Sequence, residues 1–356
     1  MSVGKSDPGK YTRYSAVLQY SLMSGRIIVK ALSLSLINGG LFGLPATMNG
    51  INSHKIQFEK PNLDELTQQY AVVDLHFHSN YSDGKNPVST IAKRARELGI
   101  GIAITDHNEI KGAVELDRLR GILNIPGIEI TSSEGTHLLI YFYDIKSLKK
   151  FYKKDVKPNM GHDVMSSTCL EMEDIIKRAR EFETLVVFPH PYSATFTGIQ
   201  NTYFSEDRLQ RLFEMVDGIE VINAENLNKW NIRSALLGFN LDTGITGGSD
   251  GHHLPQMGRA VCYAPCKNDR RAFLDAVKSK QTHVIGKESD IIRKVRSNGV
   301  KLRNNIRNCP DLVGKNLRYS CSVINSKSKI FKDNVKRSFS GRFKERRTKG
   351  KIVENI

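Results

Sequence analysis

The sequence predicts an α/β protein in which short buried strands alternate with amphipathic helices. From residue 71 onward, brief apolar runs are followed by stretches whose apolar residues recur at helical spacing, a pattern typical of parallel strands with right-handed crossovers. Histidine and carboxylate residues also follow these apolar runs repeatedly, as they do at the catalytic edge of parallel sheets and barrels. The pattern alone leaves open whether the strands form an open sheet or a closed barrel.

The first predicted strand of this region, residues 72–77, leads into a pair of histidines. His76 and His78 are two positions apart, so their side chains project to the same face of the strand. Asp83 follows after a short turn that ends in Gly84, and its carboxylate can fold back over the strand end. Two histidines and a returning carboxylate form half of a metal site. An isolated His-x-His, in contrast, more often marks the solvated face of a strand.

Two of the predicted helices have recognisable start signals. In the helix over residues 87–98, Asn86 is the expected N-cap, Pro87 the first helical residue and Gly99 the stop. A helix over residues 168–182 is predicted to open at Thr168, with Glu171 completing a capping box. The other predicted strands cover residues 100–105, 124–131, 137–143, 185–188, 218–222, 244–246 and 283–285. The other predicted helices cover residues 110–123, 207–215, 228–237 and 270–278.

Charge divides the chain of 356 residues into three segments. Residues 1–70 carry a net charge of +3 and are predicted to form an N-terminal extension. Residues 71–290 carry −2, and eight of the ten histidines lie between His76 and His253, so this segment is predicted to be the functional domain. Residues 291–356 carry +15 of the total +16 and are predicted to form a basic C-terminal segment. The apolar content of 39% and charged content of 25% are ordinary for a soluble globular protein.

The cysteines and the N-terminal extension give indications of the cellular compartment of the protein. The five cysteines form no C-x-x-C pair, which suits a reducing compartment and leads us to expect a cytoplasmic protein. Residues 31–54 contain no Asp, Glu, Lys or Arg and follow Arg26 and Lys30, as in a signal peptide. Glycine, asparagine and proline residues interrupt the apolar run, however, which makes it weak as a membrane span. We favour an extension packed on the domain, with a leader or anchor within residues 26–50 as the alternative.

The polar residues that interrupt the apolar pattern are concentrated at the ends of the predicted strands. Loops at the carboxyl ends of parallel strands converge over one cavity, so we expect these side chains to meet there. In chain order they are His76, His78, Asp106, His107, Glu129, His190, Glu220, Asn223, Asp250 and His252.

Several of these residues lie in motifs that resemble those of the PHP (polymerase and histidinol phosphatase) superfamily. Asp74-Leu75-His76-x-His78-Ser79-x-x-Ser82-Asp83-Gly84 resembles its first motif, and Thr105-Asp106-His107 resembles its second. Pro126-Gly127-Ile128-Glu129, Pro189-His190-Pro191 and Gly248-Ser249-Asp250-x-His252 resemble the later ones, in family order over residues 71–290. The large insertion that some members carry after the second motif is absent here, so their substrate preference is not carried over.

The resemblance implies a distorted TIM-like (β/α)7 barrel that holds two or three divalent metal ions. It assigns His76, His78, Glu129 and Asp250 to one metal site, with Glu129 bridging. It assigns Asp83 and His107 to a second site, and His137, His190 and His252 to a third.

Imidazole and carboxylate ligands without thiolate suit manganese, zinc or iron(II). Such ions activate water near neutral pH and stabilise the charge that develops on phosphate oxygens. We therefore predict a hydrolase that cleaves phosphate esters in a small phosphorylated substrate, either a phosphomonoester or a nucleotide. Asp83, His107 and Glu129 are the predicted catalytic residues, together with Arg259.

Six other polar residues have predicted roles outside the ligand set. Arg259 is the preferred candidate for binding the non-bridging phosphate oxygens, ahead of Lys111 and Asn108, although an ordinary surface ion pair is the alternative for Arg259. Asp106 could bind metal, orient His107 or cap a helix, and we favour the role of orienting His107. His253 and His162 are expected to face solvent.

The basic C-terminal segment, residues 291–356, admits two interpretations. Its lysines and arginines are interleaved with Phe331, Phe339 and Phe343 and could bind nucleic acid or an anionic membrane surface. It could equally be a solubilising tail. Two other functions remain open for the chain: a nuclease that uses the same metal centre, and a metal-binding regulatory module without turnover.

Overall fold

The strands pair into two five-stranded sheets of mixed direction and a separate two-stranded hairpin in the computed structural model of the chain. The structure describes residues 18–23, 26–31, 55–193, 197–201 and 204–289. For the hairpin, only the backbone is described. The basic segment and most of the 26–50 stretch lie outside the described residues, so neither prediction about them is addressed.

The described strands are β1 (Leu18–Met23), β2 (Arg26–Ala31), β3 (Ile56–Gln57), β4 (Ala71–Phe77), β5 (Gly101–Ile104), β6 (Gly127–Thr131), β7 (His137–Phe142), β8 (Thr184–Phe188), β9 (Gly218–Asn223), β10 (Gly244–Gly248), β11 (Ala260–Ala264) and β12 (His283–Gly286). The described helices are α1 (Leu63–Gln69), α2 (Val88–Glu97), α3 (Lys111–Asp117), α4 (Ile145–Phe151), α5 (Met172–Ala179), α6 (Glu206–Glu214), α7 (Asn228–Asn240) and α8 (Arg270–Lys278). A π-helical turn, Tyr152–Val156, continues α4. None of the described helices has the length and apolar composition needed to cross a bilayer.

The strand directions correct the prediction of parallel strands throughout. One sheet has the order β10-β9-β8-β7-β6, in which β7 runs antiparallel to both neighbours. The other has the order β3-β12-β11-β4-β5, in which β11 runs antiparallel to β12 and β4. The short connection of residues 132–136 explains the reversal of β7, because a parallel crossover needs a dozen or more residues. The α/β class is confirmed, with two mixed sheets.

The two sheets are connected by isolated bridges at two places. Ile102 and His107 bridge to Asn124 and Glu129 on the β5–β6 side, and Phe77 bridges to Gly251 on the β4–β10 side. Tyr141 on β7 reaches across the interior and donates a 2.8 Å hydrogen bond to the Leu75 carbonyl of β4. The described strands therefore form two sheets in contact, and full closure into the expected barrel remains a prediction.

The core has an interior layer and two outer layers. The interior cluster contains side chains of both sheets and of α8, including Leu75, Leu139 and Val187. A second cluster packs α4, α5 and α6 against β6–β8, and a third packs α1, α2 and α3 against β4 and β5. All seven residues of β4 are buried, so the strand that carries His76 is enclosed on both faces.

Several element boundaries differ from the sequence prediction. The N-cap of α2 is Pro87, and the Asn86 side chain instead accepts a hydrogen bond from the Leu254 amide. Thr168 does not open α5: its hydroxyl donates to the Thr131 carbonyl, and Glu171 is the N-cap, without a side-chain capping bond. The stop at Gly99 is confirmed, since this residue adopts a φ of +68°. The predicted helix 110–123 is shortened to α3. The elements β1–β3, β11, α1 and α4 were not predicted.

Replacement of Gly248 tests the close approach of the two sheets. A Cβ atom at this position would lie 2.3 Å from the Cβ of His76 and 2.8 Å from its backbone nitrogen. We expect Gly248→Ala to lower the free energy of unfolding by about 1–3 kcal/mol or more, because β4 and β10 would have to separate. Chemical denaturation monitored by circular dichroism measures the change. Gly99→Ala is the control, because its Cβ would meet only ordinary van der Waals contacts. Its positive φ should lower the free energy of unfolding by about 1–2 kcal/mol through backbone strain, and the metal affinity should stay unchanged. Unchanged stability of Gly248→Ala would contradict the close contact.

Candidate metal centre

The Glu129 carboxylate lies at the centre of a group of histidines. Its Oε1 atom is 2.8 Å from His137 Nδ1 and 3.4 Å from His190 Nε2. Its Oε2 atom is 3.0 Å from His107 Nδ1, 3.4 Å from His76 Nε2 and 3.5 Å from His78 Nε2. Only 1% of the Glu129 side chain is exposed, so five imidazoles surround one buried carboxylate.

His137 reaches this group because β7 is reversed. It is the first residue of β7 and pairs with Thr131, the last residue of β6. Since the two strands are antiparallel, the start of β7 lies at the same edge as the end of β6. His137, at the start of β7, therefore lies at the same side of the sheet as the residues at the ends of the other strands.

Asp83 forms a second group with three histidines. Its Oδ2 atom is 2.8 Å from His252 Nε2, and its Oδ1 atom is 3.6 Å from His78 Nδ1 and 3.8 Å from His107 Nε2. The His78 and His252 rings stack with centroids 4.5 Å apart. The structure thus places His252 with Asp83, whereas the resemblance grouped it with His137 and His190. The reason is positional: His252 follows β10, which lies beside β4, while His137 and His190 lie farther along the sheet.

Asp250 completes the arrangement from the end of β10. Its Oδ1 atom is 3.1 Å from His78 Nε2 and 3.6 Å from His76 Nε2. Its backbone adopts a φ of +48°, an uncommon conformation for a residue with a side chain. The backbone of Asp250 is therefore strained, and strained residues are frequent at functional sites.

The nine residues predicted as metal ligands are therefore all brought together. Three overlapping groups have ligand atoms close enough to hold an ion: His78, Asp83, His107 and His252; His76, His78 and Glu129; His107, Glu129 and His137. Six buried atoms of these residues make no hydrogen bond: His76 Nε2, His78 Nδ1, Asp83 Oδ1, His107 Nδ1, Glu129 Oε2 and His190 Nδ1. Buried polar atoms are rarely left unpaired, so this donor set fits divalent cations.

Electrostatics at the centre favour positive charge. Burial opposes ionisation of Glu129, yet His137, His107 and His76 hold the pKa of its carboxyl well below the usual range. Burial likewise opposes ionisation of Asp83, and His252 and His107 hold its pKa well below the usual range. Burial also lowers the pKa of His107 to about 3, although the charges of Glu129 and Asp83 act in the opposite direction.

Two buried aspartates shape the loops that carry ligands. Asp106 accepts hydrogen bonds from the Ser79 amide at 2.7 Å, the Ser79 hydroxyl at 2.6 Å and the Ser82 hydroxyl at 2.8 Å. It therefore orders the loop that leads to Asp83, whereas we had expected it to orient His107.

Asp74 has the same function in the loop after β10. It accepts hydrogen bonds from the Ser249 amide, the Ser249 hydroxyl and the Gly258 amide. Burial raises its pKa to about 6. Each aspartate thus holds a loop that belongs to the neighbouring strand.

Glu220 is the site residue whose role the sequence did not reveal. It lies near the end of the predicted strand 218–222, a position that indicates no particular function. Its Oε1 atom is 3.0 Å from His76 Nδ1, and its Oε2 atom accepts from the His190 amide at 2.8 Å. Asn223 donates to Glu220 at 3.0 Å and to Asp250 at 3.3 Å. Glu220 therefore fixes the orientation of His76 so that Nε2 faces Glu129.

The other candidates make contacts outside this group. The Arg259 guanidinium donates to the Pro255 carbonyl, so its catalytic role remains a prediction. Lys111 pairs with Glu109 and is largely exposed. Asn108 donates to the Val164 and Ser166 carbonyls and accepts from the Thr131 amide, which favours a structural role. The side chain of His162 is 94% exposed, as expected.

A separate cluster of carboxylates is neutralised by an arginine. Glu134, Glu171 and Glu173 lie close enough together to suggest a cation site. The Arg208 guanidinium, however, contacts all three of these carboxylates. The cluster is therefore an ion-pair network that ties α6 to α5 and the loop before it.

Comparison with known proteins identifies the family. The family model of the PHP domain matches residues 74–227. An uncharacterized protein of Methanocaldococcus jannaschii is 30% identical over 166 residues, which cover 42% of this chain and 81% of the relative. The chain belongs to the PHP domain family.

Two further comparisons concern proteins that act on DNA. The DNA polymerase III subunit alpha of Helicobacter pylori is 27% identical over 143 residues, which are 30% of this chain and 12% of that subunit. A lesion-specific endonuclease from Pyrococcus furiosus has a structure with a TM-score of 0.50, 18% sequence identity and coverage of 60% of this chain and 57% of that one. At this identity the likeness concerns the PHP fold alone.

Glu220→Gln tests the orientation of His76 in the PHP domain. An amide retains the shape of the side chain but removes the charge that favours one imidazole orientation, so divalent metal affinity should fall about 10- to 100-fold. A competition titration with a chromogenic chelator measures this change. Glu214→Gln, on the exposed side of α6, is the matched control and should leave affinity unchanged. Equal affinity of Glu220→Gln and the unchanged protein would mean that His76 is held by its packing alone.

Proposed function

We propose that the protein is a metal-dependent phosphoesterase that hydrolyses phosphate esters of small molecules. The observation that supports this most directly is the group of buried histidines and carboxylates around Glu129, in which six nitrogen and oxygen atoms make no hydrogen bond. An interior that leaves so many polar atoms without partners is costly unless a ligand satisfies them. Membership in the PHP family supports the same proposal.

We propose two or three divalent ions, of manganese, zinc or iron, as the cofactors. His76, His78, Glu129 and Asp250 would hold one ion. Asp83, His107 and His252 would contribute to another, and His137 and His190 to the third. When bound, such ions supply Lewis-acid stabilisation of phosphate charge and a water of lowered pKa.

The protein's own residues would keep these ligands in place. Glu129 would bridge, since its two oxygens face different histidines. Glu220 would fix His76, and Asp106 would fix the loop of Asp83. Arg259 precedes β11, whose start lies near the end of β4, and it would bind phosphate oxygens after a rotation of its side chain.

We further propose that the two sheets are the halves of a distorted (β/α)7 barrel. The bridges between Ile102 and Asn124, His107 and Glu129, and Phe77 and Gly251 support this interpretation. In that arrangement, both sheets would present their ligand-bearing ends to one opening.

A nuclease that uses the same centre is the second candidate. The net charge of +15 on residues 291–356 favours it, because polyanionic substrates bind to concentrated positive charge. A metal-binding module without turnover is less favoured, since the donor atoms are all present and aligned. A turnover screen of phosphorylated metabolites and short oligonucleotides with added manganese distinguishes the three. Release of phosphate from monoesters supports the first candidate, chain cleavage the second, and metal binding without hydrolysis the third.

Glu129→Gln tests the role of the central carboxylate. We expect the unchanged protein to bind at least two equivalents of divalent metal and the variant to bind fewer. The variant should lose about a thousandfold or more in kcat/KM, because several kcal/mol of transition-state stabilisation depends on the metals. Elemental analysis and steady-state kinetics measure both quantities. Glu97→Gln, with a half-exposed side chain on α2, is the control. Full activity in Glu129→Gln, or less than one equivalent of metal in the reconstituted protein, would refute the proposed centre.

Deletion of residues 291–356 separates the basic segment from catalysis. The predicted ligands all precede this segment, so hydrolysis of a small phosphomonoester should persist with a modest drop in the denaturation midpoint. If the full chain binds nucleic acid or anionic vesicles, the truncated protein should lose that binding. For nucleic acid, about 5 neutralised phosphates would give a log–log salt slope of roughly −4. A large loss of stability together with lost turnover would instead show that the segment is part of the folded domain.

A further inference from the structure

A groove outside the metal centre has the size of a small-molecule binding site. It has a volume of about 780 Å³ and lies between α3 and the segment that runs from α4 through the π-helical turn to Val164. This volume is within the range of about 300–1,000 Å³ typical of small-molecule sites. The groove is therefore large enough for a molecule of the size of a substrate.

The groove carries an excess of positive charge on its rim. Four cationic side chains line it, Lys111, Arg118, Lys149 and Lys157, against three carboxylates, Glu109, Glu115 and Asp163. Lys111 is paired with Glu109 at 2.9 Å. The other three have no carboxylate partner within the part of the chain that the structure describes. Positive charges without partners, gathered around a cavity, favour an anionic ligand.

The floor of the groove is apolar and aromatic. Ile110, Val114, Met160 and Val164 supply aliphatic or thioether surface. The Tyr81 ring is 38% exposed, which is unusual for a large apolar side chain in the described region. This lining suits an aromatic or aliphatic body.

Tyr152 lies on the opposite wall of the groove, at the start of the π-helical turn. Burial, together with the charge of Glu109 to which it hydrogen bonds, raises the pKa of Tyr152 to about 12. The phenol is therefore a neutral aromatic surface. π-helical turns are rare and frequently occur at functional sites.

The groove begins next to the metal centre. Tyr81 and Glu109 are each two residues from a predicted ligand, Asp83 and His107, so the Cα atoms are at most about 7.6 Å apart. On the far wall, the Val164 carbonyl accepts a 2.9 Å hydrogen bond from Asn108, the residue after His107. A phosphate at the centre could thus belong to a molecule that extends into the groove.

We infer that the groove binds the part of the substrate remote from the scissile phosphate, and that this part is an aromatic or apolar body carrying a second anionic group. This inference rests on the proposed phosphoesterase function. The apolar floor and tyrosines would contact the body, and Lys149 and Lys157 would contact the second anion. The metal centre would then act on the phosphate, and the groove would select which phosphate ester is bound.

A binding experiment tests the groove without reference to turnover. Anilinonaphthalene sulfonate is an aromatic anion whose fluorescence rises on binding, and it serves as the probe. The double variant Lys149→Met and Lys157→Met should bind it about three- to tenfold more weakly than the unchanged full-length protein, since two charge contacts are lost. The matched control is Lys146→Met and Lys150→Met, two exposed lysines of α4 that do not line the groove. Equal weakening in both double variants, or in neither, would overturn the inference.

A kinetic experiment tests its role in selecting substrate. Phenyl phosphate and para-carboxyphenyl phosphate differ only in the second anionic group. In the groove variant, KM for para-carboxyphenyl phosphate should rise about three- to tenfold, while kcat for both esters and KM for phenyl phosphate stay within about twofold. An equal change in KM for the two esters would overturn the inference. Groove-dependent probe binding with no hydrolysis of any ester would overturn the proposed function and leave the groove as a binding site.

Discussion

The buried carboxylate of Glu129 is the interaction on which the centre depends. A charged group in the interior is costly unless other charges and hydrogen bonds compensate for it. Here five imidazoles from β4, β7 and the loops after β4, β5 and β8 approach its two oxygens. The same negative potential that holds these rings together also attracts cations. Structure and metal affinity therefore have one physical cause.

The supporting residues connect neighbouring strands in sequence around the opening. Asp106, after β5, orders the loop that follows β4. Asp74, on β4, orders the loop that follows β10. Glu220, on β9, holds His76 on β4 and the amide of His190 after β8. In these contacts each ligand-bearing loop is held by a residue from a different strand or loop. The geometry of the centre therefore depends on how the strands pack together.

The sequence predicted the residues of the centre better than it predicted the paths of the strands. Histidine and carboxylate side chains interrupt apolar runs, and this contrast is visible in the sequence at His76, Glu129 and Asp250. The reversal of β7 was not predicted, because an antiparallel buried strand has the same apolar pattern as a parallel one. The role of Glu220 was also hidden, since its function depends on a contact with a residue 144 positions away. Pairings over such distances leave no local signal.

The two sheets divide the predicted ligands between them. His76, His78, Asp83 and His107 belong to the sheet of β4 and β5, whereas Glu129, His137, His190, Asp250 and His252 belong to the sheet of β6–β10. Contacts such as that between His78 and Asp250 span 172 positions of the chain. Contacts between residues so far apart in sequence slow folding, because loop closure must precede any gain from the contact. Neither sheet alone offers a complete set of donors, so the ions would enter a nearly finished fold and would not serve as an early template for it.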